Sequence, residues 1–241
     1  MAQAKRSKAE ETARRTEVLR RLSAIYTNAH CALEHKNPFE LLVATVLSAQ
    51  CTDARVNIVT RELFKEAPTA AALNALPEER VRTLIRSINF FNNKTKSLKG
   101  LARLLMERWG GEVPKDMDAL LALPGVARKT ANVVLGNAFD IASGIVVDTH
   151  VGRLSRRLGF TKSEDPAKVE ADLVAWVPKD RWVSLSHELI DHGRAVCSAL
   201  RPKCAECTFA DICPGAAAAS APLKKTGKSP SKSRSGLGKK R

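Results

Sequence analysis

The stretch LLALPGVARKTA, at residues 120–131, ends one helical pattern, turns at Pro124 and Gly125, and begins the next helical pattern. At such a turn, free backbone N–H groups and the positive end of a helix dipole form a site for an anion, and glycine lets a phosphate approach the backbone closely. Pro-Gly alone is typical of an ordinary corner between helices. The basic pair Arg128 and Lys129 that follows favours a site for nucleic-acid phosphates, which position a protein without reading the sequence.

Apolar residues recur at helical spacing along nearly all of the chain, and no stretch alternates convincingly as a strand does. Examples are Val18, Leu22 and Ile25; Leu98, Leu101, Leu104 and Leu105; and Val169, Leu173 and Trp176. Proline stands just before or within the first turn of many of these patterns, where its fixed φ favours a helix start. The sequence therefore predicts an all-α fold of about ten helices on short loops.

The 241 residues include 40 lysine and arginine residues against 25 aspartate and glutamate, which gives a net charge of +15. Residues 216–241 hold eight basic and no acidic residues, and residues 1–21 hold seven basic and three acidic ones. We expect a disordered basic arm at residues 1–13 and a disordered, low-complexity basic tail at residues 216–241. Polyanions are the usual partners of such a protein, and nucleic acid is the commonest of them.

The sequence also bears on where the protein works. No apolar run approaches the roughly 18 residues of a membrane span. The first 20 residues lack the apolar core of a secretory signal and contain three acids, which disfavours an organellar transit peptide. We therefore expect a cytoplasmic protein with no membrane partner.

Four of the six cysteines crowd into one short segment: Cys197, Cys204, Cys207 and Cys213. In a reducing compartment such a group is expected to hold a metal rather than disulfides, and thiolates suit zinc or an iron–sulfur cluster. Zinc sites more often have two close cysteine pairs, whereas here one close pair is flanked by wider gaps, which favours a cluster wrapped by one loop. Cys31 and Cys51 have no partners at useful spacing and are expected to be incidental thiols.

Lys129 and Asp148 are the candidate catalytic residues. Lys129 falls near the first turn of a predicted helix, where the dipole, partial burial and Arg128 favour a neutral amine, a nucleophile able to form Schiff bases. Asp148 fits the N-cap of the next helix, and from that position a carboxylate can also accept a proton or stabilise a cation. His150 is expected to be structural, because no metal partner or nucleophile is identifiable beside it.

The hairpin stretch, VDTHV at residues 147–151, LSAQCTD at residues 47–53 and the cysteine spacing closely resemble the endonuclease III family of helix-hairpin-helix DNA glycosylases, over residues 16–214. The resemblance implies a bifunctional DNA glycosylase and AP lyase of base excision repair that removes oxidised pyrimidines. Lys129 would attack C1′ of the extruded nucleotide, displace the base and form a Schiff base. Asp148 would assist the proton transfers, and β-elimination would then cut the strand on the 3′ side.

The same resemblance implies a cofactor and a set of DNA contacts. The 4Fe-4S cluster, counted as structural, would be held by Cys197, Cys204, Cys207 and Cys213. Gln50 would fill the space left by the flipped base, and Phe90 falls where the family has a smaller, aliphatic wedge, with core packing as an equal alternative. The other implied DNA contacts are Gly125, Ala127, Arg128, Arg201 and Lys203. Ala127 replaces the family's second hairpin glycine, which leaves phosphate affinity and hairpin geometry open to change.

The family architecture consists of two helical domains with DNA bound across the cleft between them. A six-helix domain with the hairpin would span residues 31–142, and a cluster domain would combine residues 14–30 with residues 143–215. Lys129 and Asp148 would then face each other across the cleft. The expected partner is double-stranded DNA with damaged pyrimidines or abasic sites, bound by a monomer associated with the nucleoid. The alternatives are a glycosylase of shifted base specificity with weak lyase activity, and a non-catalytic helix-hairpin-helix DNA-binding protein with structural zinc.

Deletion of residues 216–241 is expected to weaken non-specific binding to duplex DNA and to flatten its salt dependence, because fewer phosphates are then neutralised. Schiff-base formation at Lys129 should remain intact. Fluorescence anisotropy with an undamaged duplex over a series of salt concentrations measures the slope, and borohydride trapping checks the chemistry. A slope equal to that of the full chain would contradict a role of the tail in DNA binding.

Overall fold

The structure, a computed structural model, describes residues 6–219, and the regular elements of this part are all helical. The α-helices are α1 (Lys8–Ile25), α2 (Pro38–Ser48), α3 (Asp53–Glu66), α4 (Ala70–Ala75), α5 (Glu78–Ile85), α6 (Phe91–Trp109), α7 (Met117–Leu121), α8 (Arg128–Phe139), α9 (Thr149–Arg157), α10 (Pro166–Val174), α11 (Trp182–Ala195) and α12 (Pro214–Ala219). Short 3₁₀ turns lie at Lys179–Arg181 and Cys204–Glu206. The predicted all-α fold is confirmed. Over the described range, every helix is too short or too polar to cross a bilayer.

Helices α2 to α8 enclose the first hydrophobic core. At its centre lies α2, which buries every residue from Phe39 to Leu47. Helix α6 packs against α2 and contributes Leu98, Leu101 and Leu105. Seven helices build this core rather than the six predicted, because the segment before the hairpin forms a separate five-residue helix, α7.

The second hydrophobic core is built from both ends of the described chain. Helix α1 contributes Val18 and Leu22, while α9 and α11 contribute fully buried residues such as Leu154 and Leu189. Phe209, which is also fully buried, anchors the cysteine-containing loop in this core. The N-terminal helix therefore packs with the C-terminal half of the chain.

The N-terminal helix begins earlier than the sequence predicted. Ser7 and Glu10 form a capping box, in which the Ser7 hydroxyl accepts from the Glu10 N–H at 3.2 Å and the Glu10 carboxylate accepts from the Ser7 N–H at 2.7 Å. Arg14 is buried and donates to the carbonyl oxygen of Ile212 at 3.4 Å. The predicted disorder of residues 1–13 is therefore wrong from residue 8 onward, because this cap and this long-range contact stabilise a helix of polar composition.

The predicted disordered tail also begins too early. Residues 216–219 belong to α12, which packs against α9. The rest of that prediction, residues 220–241, lies outside the described residues, as does the start of the arm at residues 1–5.

Helices α8 and α11 contact each other and join the two cores. A Cβ atom at Gly136 of α8 would lie 2.8 Å from Cγ2 of Val183 in α11, so only glycine permits this close approach. At the next residue of α8, Asn137 Oδ1 lies 2.8 Å from Nε2 of His187 and accepts a hydrogen bond from it. These contacts fix the two cores on either side of an open cavity.

Candidate active site and nucleic-acid interface

The hairpin between α7 and α8 depends on close packing against α6. Gly125 has a φ of +80°, in the left-handed region that favours glycine, and a Cβ atom there would lie 2.8 Å from Cβ of Ser97. Leu123 and Val126 are buried on either side of the turn and anchor it in the first core. The Val126 N–H donates to the carbonyl oxygen of Leu123 at 3.1 Å. The position of the hairpin is therefore fixed by the core.

Ala127 is the N-cap residue of α8, with a φ of −100° and a ψ of 169°. This is extended backbone that most residues adopt, so alanine in place of the family's second glycine leaves the hairpin backbone unstrained. Among the described residues no side chain caps this helix start, and its first N–H groups are available to an acceptor such as phosphate. Beside them, exposed Arg128 makes a loose ion pair with Glu170, with 3.4 Å between Nε and Oε2.

Lys129 and Asp148 come together in space, because both line the same two neighbouring cavities, of about 250 and 360 Å³. Asp148 is half-buried and is the N-cap of α9, as predicted, with its carboxylate accepting from the Val151 N–H at 2.7 Å. Lys129 is the second residue of α8 and its side chain is exposed. The predicted partial burial of Lys129 is wrong for the protein alone, since the residue lies at the open start of the helix.

The cavity of about 250 Å³ lies between the two cores. Its lining includes Ser48, Ala49, Gln50 and Asn132 on the side of the first core and His187, Asp191 and Arg194 of α11 on the other side. A salt bridge between Arg194 and Asp53, with 2.7 Å between Nη2 and Oδ2, joins the two sides. Sequence reasoning missed the α11 residues, and no local signal pairs two side chains 141 positions apart.

Two histidines near this cavity have partners within the protein. Burial lowers the pKa of both His150 and His187 from the ordinary value of 6.5, so both rings are neutral near pH 7. His150 Nδ1 accepts from Nη2 of Arg153 at 3.2 Å, and His187 is bonded to Asn137. These contacts agree with the structural role predicted for His150.

Gln50 and Phe90 share an unusual backbone conformation. Their φ angles are +54° and +59°, in the left-handed region, although neither residue is glycine. Phe90 is 60% exposed, whereas Phe91 packs against the first core, so the core-packing alternative for Phe90 is wrong. The side-chain amide of Asn89 donates to the carbonyl oxygen of Gln50 at 2.6 Å, which ties the two segments together. Gln50 also lines the cavity of Lys129.

The four clustered cysteines line one cavity of about 330 Å³ at the edge of the second core: Cys197, Cys204, Cys207 and Cys213. All four thiols are free. Burial raises the pKa of Cys207 and of Cys213, so their thiolates need a compensating positive charge. Within residues 6–219, no three His, Cys, Asp or Glu side chains converge closely enough to hold a single metal ion.

Arg157, the last residue of α9, holds the loop between the first two cysteines. Its Nη1 lies 3.2 Å from Sγ of Cys197 and donates to the carbonyl oxygen of Ser198 at 2.7 Å. Arg201 and Lys203 lie further along this loop and are exposed. Neither residue lines the cavities of Lys129, so the structure does not bring these two predicted DNA contacts to the candidate catalytic residues Lys129 and Asp148.

Known proteins resemble this chain over most of its length. The family model that matches residues 43–179 is described as HhH-GPD superfamily base excision DNA repair protein. Endonuclease III of Synechocystis sp. is 51% identical over 213 residues, which cover 88% of this chain and 97% of that protein. Endonuclease III of Escherichia coli K12 is 43% identical over 201 residues, which cover 83% of this chain and 95% of that protein.

The fold also matches solved structures. A trapped endonuclease III–DNA covalent intermediate has a TM-score of 0.81 and 42% sequence identity, and the match covers 86% of this chain and 98% of that chain.

Ala127→Asp tests the anion site at the start of α8. An aspartate N-cap is expected to raise the free energy of unfolding by about 0.5–2 kcal/mol. It should also weaken binding of duplex DNA, because it occupies the free N–H groups and repels phosphate. Urea unfolding and fluorescence anisotropy measure the two effects. Ala127→Gly, which adds neither a side-chain acceptor nor a charge, is the control for DNA binding. Duplex binding by Ala127→Asp as tight as that of the parent would contradict the site.

Proposed function

The chain belongs to the HhH-GPD superfamily of base excision DNA repair proteins, and we propose how its residues perform the reaction of a DNA glycosylase and AP lyase that removes oxidised pyrimidines from double-stranded DNA. The observation that carries the proposal is that Lys129, Asp148 and Gln50 line one cavity between the two cores. An amine, a carboxylate and an amide at one cavity supply the groups that attack a sugar, move protons and occupy the place of an extruded base.

Lys129 is the nucleophile of this mechanism. The lone pair of its Nζ attacks C1′ of a nucleotide extruded into the cavity, and the bond from C1′ to the base breaks as the new C–N bond forms. The departing base takes up a proton delivered through Asp148. The C1′–O4′ bond then breaks as the C1′–Nζ bond becomes the double bond of the Schiff base, and O4′ takes up a proton. Loss of a proton from C2′ then expels the 3′ phosphate by β-elimination. DNA bound over the hairpin covers the exposed Lys129 side chain and removes it from water.

Asp148 moves protons and stabilises the cationic sugar. Its Oδ1 is held by the Val151 N–H at the start of α9, which fixes the carboxylate beside Lys129 and leaves Oδ2 for the reaction. A fixed carboxylate within reach of the reacting atoms is the arrangement that general acid–base catalysis requires.

The remaining predicted contacts bind the DNA around this pair. The free N–H groups of the hairpin at Gly125 and Ala127, with Arg128, hold a backbone phosphate. Gln50 enters the space that the flipped nucleotide leaves, and Phe90 stacks on a neighbouring base. Arg201 and Lys203 hold phosphates further along the duplex, and both are exposed as this role requires.

A 4Fe-4S cluster fits the cavity lined by Cys197, Cys204, Cys207 and Cys213. The four cysteines are among the residues that line about 330 Å³, space for a group of several atoms, and within residues 6–219 no three His, Cys, Asp or Glu side chains lie close enough to hold one ion such as zinc. A bound cluster would supply positive charge to the buried thiolates and cross-link the loop. This role would be structural, and no step of the reaction at Lys129 passes through it.

The two hydrophobic cores support a division into two domains. The first core lies within residues 31–142, and the second combines residues 14–30 with residues 143–215. The DNA then lies across the gap between them, bound by a monomer that acts in the cytoplasm on the DNA of the nucleoid.

Borohydride trapping on a duplex with a single oxidised pyrimidine tests the nucleophile. The parent protein is expected to form a covalent adduct, and Lys129→Ala should form none, because the Schiff base needs this amine. Asp148→Asn should slow adduct formation by about 10²–10⁴-fold. Lys168→Ala, at an exposed lysine outside both cavities, is the control. An adduct that persists in Lys129→Ala would exclude this mechanism.

The metal content of the purified protein tests the cluster. We expect a brown protein with about four iron atoms per chain. Cys207→Ser should lose iron and colour, whereas Cys31→Ser, at a cysteine outside this cavity, should keep both. Colourless parent protein with zinc bound by the four cysteines would contradict the cluster assignment.

A further inference from the structure

Lys94 of α6 is a buried cation outside the catalytic pair. Its side chain is almost fully buried, with 7% of the residue exposed. Nζ donates to the carbonyl oxygens of Leu47 at 2.8 Å and Ala49 at 2.6 Å, at the C-terminal end of α2. Helix ends of this kind carry unsatisfied carbonyls and partial negative charge, so an ammonium group is well placed there. Burial lowers the pKa of Lys94, and the two carbonyls accept hydrogen bonds from its Nζ.

The same lysine lies between the two segments that carry Gln50 and Phe90. Ala49 is the C-cap of α2 and is directly followed by Gln50. The backbone N–H of Lys94 donates to the carbonyl oxygen of Phe90 at 3.0 Å, in the first turn of α6. Asn89 adds its hydrogen bond to the Gln50 carbonyl. Lys94 thus contacts the backbones of Phe90 and of Ala49, the neighbour of Gln50, and Asn89 contacts the backbone of Gln50 itself.

We propose that Lys94 is a positioning residue which, together with Asn89, holds Gln50 and Phe90 as one preassembled unit for insertion into DNA. The inference rests on the proposed function, in which these two side chains enter the duplex. Left-handed backbone at a residue other than glycine is costly and persists only where the surroundings impose it. When these residues are already ordered in the free protein, no further conformational entropy is lost in ordering them as the base pair opens.

Lys99, five positions further along α6, provides a matched control. Its Nζ donates to the carbonyl oxygens of Leu73, Asn74 and Leu76 at the end of α4. This lysine has the same chemistry on the same helix, but its contacts lie away from Gln50 and Phe90. Loss of Lys99 therefore reports on stability alone.

The test compares single-turnover rates on two duplexes, one with a base-paired oxidised pyrimidine and one with a preformed abasic site. Gln50 and Phe90 should contribute more to extruding a base that is still paired than to binding an abasic sugar, which has no base to extrude. Lys94→Met is expected to lower the ratio of the first rate to the second by roughly tenfold, since small misplacements of positioning groups have effects of this size or larger. When Lys94→Met binds a duplex that carries 2-aminopurine opposite an abasic-site analogue, the change in 2-aminopurine fluorescence should be smaller than with the parent protein. Lys99→Met should lower the melting temperature without changing the ratio.

Asn89→Ala decides the outcome if Lys94→Met does not fold, because Asn89 is exposed and its loss leaves the core intact. It should lower the same ratio, by less than Lys94→Met does. If Lys94→Met folds and its ratio equals that of the parent, the inference is overturned. If Lys94→Met does not fold, an unchanged ratio in Asn89→Ala overturns it. Gln50→Ala and Phe90→Ala separate the two proposals: if they lower the ratio and the Lys94 and Asn89 variants do not, the insertion role stands and only the positioning role fails.

Discussion

The close contact between α8 and α11 at Gly136 is the constraint on which the catalytic geometry depends. Helix α8 belongs to the first core through Ala131, Val134 and Leu135, which are buried. At Gly136 it also touches Val183 of the second core, with no room for a Cβ atom. A helix held from both sides keeps its free N-terminal end at a fixed place in the gap. The hairpin and Lys129 lie at that end, so their position relative to both cores follows from packing.

Helix α9 has a comparable function on the opposite side of the cavity. Asp148 caps its first turn, and Arg157 at its last residue binds the cysteine loop through Sγ of Cys197 and the carbonyl oxygen of Ser198. The nine residues of α9 span about 14 Å at the usual helical rise. One rigid element therefore relates the carboxylate to the cysteine loop. A cluster bound as proposed would affect the reaction mechanically, because disorder in the loop would free the C-terminal end of the helix whose first turn presents Asp148.

The sequence predicted the local features and missed those set by long-range packing. The Pro-Gly turn and the Asp148 cap depend on residues within one helical turn, and both were predicted correctly. The start of α1 had a local signal that was missed, because Ser7 and Glu10 have the spacing of a capping box. The buried position of Arg14 had none, because it depends on a contact 198 residues away. The bridge from Arg194 to Asp53 spans 141 residues and has no local signal either. The exposure of Lys129 depends on which other segments cover the start of α8. The spacing of residues along the sequence does not show this.

Three positions that break local folding rules, Gln50, Phe90 and Ala127, lie at the proposed DNA interface. Of the three non-glycine residues with positive φ in the described chain, Asp140 ends α8 as a left-handed C-cap, a conformation that aspartate tolerates. Gln50 and Phe90 have no such local reason. Ala127 leaves a helix start uncapped where serine or aspartate is preferred. Each departure weakens the free protein slightly and leaves a side chain or a set of N–H groups presented to solvent. Because the hydrophobic cores require none of them, a partner that contacts these groups is the simplest physical reason for the sequence to keep them. A duplex with one nucleotide extruded offers a phosphate to the free N–H groups and an empty stacking site to the exposed side chains, which is the kind of partner that the proposed function requires.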